Sequence, residues 1–403
     1  MKRRQFFQHG GFATGAIATL GLHTLLARAA QPANVPKRLI VIFLRGAVDG
    51  LSVVVPYQES IYYASRPRIA LPKPGQPEGA IDLDGRFGLH PALGMLMPLW
   101  QQGNLGFVHA SGSPDPTRSH FEAQTLMESG TTSSYYTSDG WMNRLLAAIA
   151  NHNPIQAVSV SPIIPRILSG KMPVANFASN YNTVLDRPQF ASAFNQLYRG
   201  SDPLSQSYQE GQAARQAILS AQQSEMQMAN NGAPPSSNFG KDAQRLAQAM
   251  VRDPRIQLAF MALDGWDTHV NQGSSKGALA TNLGRLGNGL VVLQQGLGSV
   301  FRDTTIMVMS EFGRTVHENG NSGTDHGHGN VIWLLGGPIR GGKIYGNWPG
   351  LEPEQLDEGR DLAVTTDFRD VVSTVLLRHL NISDTNLAQV LPKYTPQQKV
   401  AVL

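Results

Sequence analysis

The sequence predicts an α/β fold built on a central, largely parallel β-sheet that is flanked by helices. Short apolar runs typical of buried strands alternate with helical stretches, and the first run, Leu39–Leu44, is apolar at every position. With 403 residues, the chain is long enough to bury a large core. Because it contains no cysteine, that core forms without disulfides, and thiolate chemistry is excluded.

The apolar runs define six strands, and the stretches between them define six helices. The strands are expected at Leu39–Leu44, Leu105–His109, Ala157–Val160, Ile256–Leu263, Thr305–Ser310 and Val331–Leu335. The helices are expected at His120–Glu128, Gly140–Ala150, Asp202–Ala229, Gly240–Val251, Lys276–Phe301 and Asp367–Leu380. Strands that alternate with helices are typical of a parallel sheet, so one α/β domain is predicted over residues 30–403.

Three segments differ from this alternation. The region from about residue 170 to residue 240 is polar, rich in Gln and Ala, and without strong strand signals. It is therefore predicted to be a helical insertion or cap within the single domain. Residues Ile61–Phe87 are rich in Pro and Gly and predict a long loop near the start of the sheet, whereas Asn230–Asn238 predicts a surface loop.

The N-terminal residues 1–29 match a twin-arginine (Tat) export signal. Arg3 and Arg4 precede a weakly apolar run, Phe12–Leu26, and a small-residue cleavage site, Ala27–Ala29. A membrane anchor is the alternative, but the run is shorter than the ~20 apolar residues that cross a bilayer. The sequence therefore predicts a protein that the Tat machinery exports to the periplasm or beyond, with no stable membrane insertion.

The charge of the chain does not favour a nucleic-acid partner. The whole chain has 33 basic and 29 acidic residues, but four of the basic residues and none of the acidic ones lie in the predicted signal. The mature part is therefore balanced, and it shows no basic patch. Nucleic acid is excluded as an expected partner.

Acidic and histidine residues lie at several predicted strand ends. In a parallel sheet, ligands bind at the carboxyl ends of the strands, and carboxylates and imidazoles are ligands for divalent metals. Any one of these residues alone fits a turn or a helix cap, but together they exceed what turns require. The sequence therefore predicts a metal site, and its candidate ligands are Asp49, Asp264, Asp267, His269, Glu311, His326 and His328.

The segment after the second strand supplies possible nucleophiles, Thr117 and Ser119. Ser119 and Glu122 match a capping box for the next helix, which is the structural alternative to a catalytic role for Ser119. A hydroxyl at a helix N-terminus also faces backbone N–H groups that favour a phosphate or sulfate. Three arginines are candidates for binding the anion, with a plain surface charge as the alternative: Arg45, Arg118 and Arg314.

The order of these motifs resembles the alkaline phosphatase and sulfatase superfamily. The resemblance implies a three-layer alkaline-phosphatase-like fold, a Ser or Thr nucleophile opening a helix, and one or two divalent ions, which would be zinc, manganese, magnesium or calcium. The His that follows the nucleophile in the related mutases corresponds to His120. The implied metal positions are Asp49, Asp264 or Asp267 with His269, Glu311, and His326 or His328.

Three motifs, together with the export signal, resemble one exported branch, the domain of unknown function 1501 (DUF1501) family. They are Arg45–Gly50, Ser119–Gln124 and Ser310–Thr315. The sequence departs from the superfamily at Glu311-Phe312-Gly313, where the superfamily has Asp-His-Gly, so one histidine ligand is missing. Compensating histidines would be His317, His120, or one of the pair His326 and His328. There is also no cysteine to mature into the formylglycine of true sulfatases.

The function that these observations favour is metal-dependent hydrolysis of a phosphate or sulfate ester. The expected substrate is a small anionic ester or a sulfated or phosphorylated glycan. The expected catalytic residues are Thr117, Ser119, His120 and Arg314. The alternative is an exported binding or structural protein that keeps the fold without catalysis, and bound calcium or magnesium could then be purely structural.

Overall fold

A nine-stranded sheet runs through the part of the chain that the structure, a computed structural model, describes: residues 36–149, 155–161, 164–176, 196–210 and 238–403. The strands are β1 Arg38–Arg45, β2 Val54–Val55, β3 Ile81–Asp82, β4 Gly88–Leu89, β5 Leu105–Gly112, β6 Ala157–Val160, β7 Ala175–Asn176, β8 Leu258–Asp264, β9 Thr304–Ser310, β10 Asn330–Gly336, β11 Ile344–Tyr345 and β12 Thr366–Asp367. The helices are α1 Gly50–Val53, α2 Ser60–Ser65, α3 Met97–Gln101, α4 His120–Ser129, α5 Trp141–Ala148, α6 Asn238–Arg252, α7 Ala278–Leu297, α8 Phe368–Arg378 and α9 Asp384–Val390.

The large sheet is mostly parallel, as predicted. Its strand order is β11-β5-β10-β9-β1-β8-β6-β7, and β12 also pairs with β5. Strand β1 runs parallel to β8 and β9, with Leu44 opposite Leu263 and Ser310. Strand β10 is antiparallel to both of its neighbours, β5 and β9. The carboxyl ends of β1, β5, β8 and β9 and the amino end of β10 therefore lie at the same edge.

Two apolar cores cover the two faces of the sheet. Along β1, Ile40, Ile42 and Leu44 pack into the core that contains buried residues of α6 and α7. The alternate residues of β1 pack into the opposite core, with α5, α8 and α9. Successive side chains of a strand point to opposite faces, so a strand that is buried on both sides must be apolar throughout. This arrangement is the predicted three-layer α/β fold.

Most of the predicted elements are present. All six predicted strands form, and five of the predicted helices correspond to α4, α5, α6, α7 and α8. Of the predicted helix Asp202–Ala229, residues 203–210 are helical and the rest lies outside the described residues. The predicted signal at 1–29, most of the predicted insertion and residues 230–237 of the predicted loop also lie outside them.

The predicted long loop Ile61–Phe87 is wrong in part. Helix α2 overlaps its start, β3 lies inside it, and β2, β4 and β3 form a separate three-stranded sheet. The segment is ordered by packing, because Tyr62 and Leu71 are fully buried in a local apolar cluster. Strands of two residues are too short to produce a recognisable apolar run.

None of the helices in the described part of the chain combines the length and the hydropathy needed to cross a membrane.

Candidate metal centre

Two histidines and one aspartate meet at the edge of the sheet where these strand ends converge. His120 is the first residue of α4, Asp267 lies in the loop after β8, and His326 lies in the loop before β10. One ligand atom from each residue lies within 4.8 Å of the other two. Because β10 is antiparallel, the loop that precedes it reaches the same edge as the loop that follows β8.

His269 joins this group. Its Nε2 atom lies 3.0 Å from His326 Nε2 and 3.0 Å from Asp267 Oδ1. Asp267 Oδ1 is also 3.4 Å from His326 Nε2, and Asp267 Oδ2 is 3.5 Å from His120 Nε2. We call His120, Asp267, His269 and His326 the His/Asp cluster.

The Nδ1 atom of each histidine in the cluster faces an oxygen that can only accept a hydrogen bond. The partners are Glu311 Oε1 at 2.9 Å from His120, Asp325 Oδ1 at 3.1 Å from His269 and the Arg118 carbonyl at 2.8 Å from His326. Each Nδ1 therefore carries its proton, and in a neutral ring Nε2 then presents a lone pair. Histidines that bind metals are held in this way, through the ring nitrogen that does not face the metal.

The Nε2 atoms of His120 and His326 converge beside the Asp267 carboxylate, and His269 Nε2 adjoins His326 and Asp267. His120 Nε2 is buried and has no hydrogen-bond partner among the described residues. For His269 and His326 to keep their Nε2 atoms 3.0 Å apart without a cation, one ring would have to be protonated. A buried nitrogen without a hydrogen-bond partner is costly, and a divalent cation would bind the lone pairs of His120 and His326. The donor set therefore fits a metal ion.

The local electrostatics suit this set of ligands. The hydrogen bond that His120 donates to Glu311 raises the pKa of His120, whereas burial lowers the pKa of His326 and keeps that ring neutral. Burial by itself would raise the pKa of Asp267, but the Arg314 guanidinium outweighs it, so the pKa is lowered and the carboxylate stays ionised.

Glu311, a predicted metal ligand, lies behind His120 rather than in the cluster. Its side chain is fully buried, and its Oε1 atom also accepts hydrogen bonds from Gly46 N and Gln124 Nε2, both at 2.8 Å. Ser310 Oγ donates to Oε2 at 2.9 Å. Glu311 thus lies behind His120, a residue of helix α4, and accepts the hydrogen bond from its Nδ1 atom.

Asp49, also a predicted ligand, is paired with an arginine that sequence reasoning did not single out. Arg66 Nη1 and Nη2 lie 2.6 Å and 3.1 Å from its two oxygens, and both side chains are fully buried. Ser52 Oγ and Gln272 Nε2 each donate to Asp49 Oδ2 at 2.7 Å. Burial would raise the pKa of Asp49, but Arg66 outweighs it and lowers the pKa. No sequence pattern marks Arg66 as its partner.

The structure does not bring the two remaining predicted ligands into the cluster. Asp264 is exposed at the end of β8. Both ring nitrogens of His328 are engaged elsewhere, with Asp357 Oδ2 at 2.8 Å and the Ser113 carbonyl at 3.0 Å.

The three arginines predicted to bind an anion all have carboxylate partners. Arg314 Nη1 lies 2.7 Å from Asp267 Oδ1, and Arg45 Nη2 lies 2.5 Å from Glu128. Arg118 is paired with Asp361 at 2.7 Å and with Glu358 at 2.8 Å. Arg314 therefore positions the Asp267 carboxylate, which its sequence context did not indicate.

The two candidate nucleophiles cap helix α4. Ser119 Oγ accepts from Glu122 N at 3.5 Å, which is one half of the predicted capping box. The other half differs, because the Glu122 carboxylate accepts from Thr117 Oγ1 at 2.8 Å instead of from the Ser119 N–H. Ser119 N donates to Thr117 Oγ1 at 3.3 Å, so Thr117 also has a capping role, which the sequence did not suggest.

A family model described as "Protein of unknown function (DUF1501)" matches residues 89–393. A search of curated proteins found no match to this sequence.

Several solved structures share a loose likeness with this chain. The C-terminal periplasmic domain of EcEptC from Escherichia coli is 12% identical, with a TM-score of 0.41, and the match covers 92% of this chain and 90% of that one. The protein Ps i-CgsB, solved with k-i-k-neocarrahexaose, is 10% identical, with a TM-score of 0.41 and coverage of 88% and 74%. The lipoteichoic acid synthase LtaP from Listeria monocytogenes is 11% identical, with a TM-score of 0.37 and coverage of 86% and 72%.

Proposed function

The chain belongs to the DUF1501 family of proteins of unknown function, and we propose that it is a metal-dependent hydrolase of phosphate or sulfate esters. One observation carries this proposal: His120, His326 and the Asp267 carboxylate converge, His269 Nε2 lies 3.0 Å from both His326 Nε2 and Asp267 Oδ1, and His120 Nε2 is buried with no hydrogen-bond partner among the described residues. His120, Asp267, His269 and His326 would hold the ion. A divalent ion bound there would supply Lewis-acid activation of a phosphoryl or sulfuryl oxygen.

The protein's own residues would hold these groups in place. Glu311 and the Arg118 carbonyl fix the rings of His120 and His326, and Arg314 fixes the carboxylate of Asp267. Side chains held by such hydrogen bonds keep their geometry without reorganising during the reaction. The cluster is thus preorganised for a cation.

We propose Thr117 or Ser119 as the nucleophile, because both lie within three residues of His120 in the chain. The hydroxyl oxygen would bond to phosphorus or sulfur while the bond to the ester oxygen breaks, and the leaving alcohol would take the proton. Water would then attack the covalent intermediate, release inorganic phosphate or sulfate, and restore the hydroxyl.

The first experiment measures the metal content of the mature protein by elemental mass spectrometry, together with its hydrolysis of p-nitrophenyl phosphate and p-nitrophenyl sulfate. We expect stoichiometric zinc, manganese or another divalent metal in the wild type, and at least a 10-fold loss of metal affinity in His326→Ala. His317→Ala is the matched control, because His317 is exposed and is not in the cluster. Wild-type metal retention in His326→Ala would overturn the proposal.

A second candidate function is binding without catalysis, and one observation favours it. The hydroxyls of Thr117 and Ser119 form capping hydrogen bonds, and neither hydroxyl is bonded to a cluster residue in the described part of the chain. Metal-loaded protein that hydrolyses neither p-nitrophenyl ester would support this function.

We place either function outside the cytoplasm, because residues 1–29 carry the features of a twin-arginine export signal. A small anionic ester, or a sulfated or phosphorylated glycan, would meet the protein there.

A further inference from the structure

The charges around the His/Asp cluster restrict the charge of its substrate. We infer that the site takes a singly charged tetrahedral ester, either a sulfate monoester or a phosphodiester, in preference to a doubly charged phosphate monoester. This inference rests on the proposed function, since it concerns the same metal-bound site.

Four arginines extend from the strand ends and loops that surround the cluster, and each one is neutralised by a carboxylate. The pairs are Arg45 with Glu128, Arg118 with Asp361 and Glu358, Arg314 with Asp267, and Arg360 with Asp361. The carboxylate in such an ion pair offsets the charge of the arginine, so the pair attracts a second anion only weakly. In the described part of the chain, these four side chains therefore do not form an arginine clamp for a phosphate.

Arg66 limits the number of metal ions at the site. Its ion pair with Asp49 prevents that carboxylate from binding a second ion. Asp49 accepts four hydrogen bonds, three at Oδ2 and one at Oδ1, and two of the four come from Arg66. The buried guanidinium neutralises this carboxylate, so Asp49 is not free to hold a second ion. A guanidinium stands where the superfamily resemblance implied a metal, so the cluster is expected to hold one ion.

Two carboxylates bonded to cluster histidines form no ion pair with an arginine among the described residues. Glu311 is bonded to His120, and Asp325 is bonded to His269. Their two negative charges equal the charge of a single divalent ion. The loaded site thus has no net positive charge with which to hold a dianion.

The candidate substrates differ in charge at neutral pH. A phosphate monoester has a second pKa near 6 and is mostly doubly charged at pH 7.5. Sulfate monoesters and phosphodiesters carry one negative charge throughout this range. The charges around the cluster therefore favour the second group, because each additional negative charge is repelled by the unpaired carboxylates.

The test compares three small anions, methyl phosphate, dimethyl phosphate and methyl sulfate, by calorimetric titration of the metal-loaded full-length mature protein at pH 7.5. We expect dimethyl phosphate or methyl sulfate to bind at least 10-fold more tightly than methyl phosphate. The same order should hold for the turnover of bis(p-nitrophenyl) phosphate, p-nitrophenyl sulfate and p-nitrophenyl phosphate, which share one leaving group. The two singly charged probes separate a phosphodiester site from a sulfate site.

A matched pair of variants tests whether the paired carboxylates set the preference for singly charged anions. Glu358→Gln removes one partner of Arg118 at an exposed position and should shift the preference toward methyl phosphate at least 2-fold. Glu354→Gln removes another exposed charge, which forms no ion pair with these arginines, and should leave the preference unchanged.

The possible outcomes distinguish a failure of the charge preference from a failure of the proposed function. Equal or tighter binding of methyl phosphate by the metal-loaded protein would overturn the charge preference and leave the proposed function intact. A protein that retains no metal would overturn the proposed function. A metal-loaded protein that prefers the singly charged anions but hydrolyses no ester would support the inference and contradict catalysis.

Discussion

The carboxylate of Glu311 accepts four hydrogen bonds, and the one from His120 Nδ1, at 2.9 Å, is the only one of them that comes from the cluster. His120 in turn offers its other nitrogen, which is buried and has no hydrogen-bond partner among the described residues. An imidazole held by an ionised carboxylate is a stronger ligand than a free one, and its orientation is fixed. At the residue scale, Glu311 is therefore a positioning residue.

Glu311→Gln should weaken zinc binding by about 10- to 100-fold, because the amide keeps the shape of the side chain but loses its charge. The dissociation constant, measured by competition with a chromophoric chelator, checks this expectation. Glu122→Gln is the control, since Glu122 is exposed on the same helix and contacts Thr117 and Ser119 rather than His120. Unchanged zinc affinity in Glu311→Gln would contradict the positioning role.

At the scale of elements, the loop after β9 and the loop before β10 pack backbone against backbone. Gly313 N donates to the His328 carbonyl at 2.8 Å, and Gly327 N donates to the Gly313 carbonyl at 2.9 Å. A Cβ atom at Gly327 would lie 2.4 Å from the backbone carbon of Arg314, and one at Gly313 would lie 1.9 Å from the Gly329 carbonyl oxygen. Glycine is required at both positions because any side chain would push the loops apart.

Gly327→Ala should therefore move His326 away from the cluster, because the adjacent backbone has no room for a methyl group. We expect a loss of metal affinity together with about 1–3 kcal/mol of unfolding free energy, as for other strained substitutions. Chemical denaturation and a metal titration measure the two effects.

Gly320→Ala is the control for this loop substitution, because a Cβ at Gly320 meets nothing within 4 Å. If Gly327→Ala matched the wild type in both measurements, close packing of the two loops would not be what positions His326.

At the scale of the whole molecule, the cluster joins segments that are far apart in sequence. His269 and His326 are 57 residues apart, and the hydrogen bond from His120 to Glu311 spans 191 residues. A ligand that binds only the folded state stabilises it, because the unfolded chain does not bring these segments together.

Metal removal should therefore lower the midpoint of thermal unfolding. Free metal at 100 times the dissociation constant stabilises the folded state by about 2.7 kcal/mol, which corresponds to several degrees. Calorimetry of the wild type with zinc and with a chelator measures this shift. His326→Ala should show no chelator effect, and an identical midpoint for the wild type in both conditions would contradict metal binding at the cluster.

The sequence by itself determined the strands, and through them the edge where the site lies, because a strand buried on both faces must be apolar along its whole length. It also identified all four cluster residues, since His and Asp directly beside a strand or helix end are conspicuous. Only the tertiary structure decided which candidates meet. The antiparallel direction of β10 brings His326 to His269, Arg66 occupies Asp49, and Glu311 supports His120 from behind. These outcomes depend on contacts between distant segments and on competition for each carboxylate, and neither leaves a pattern in the local sequence.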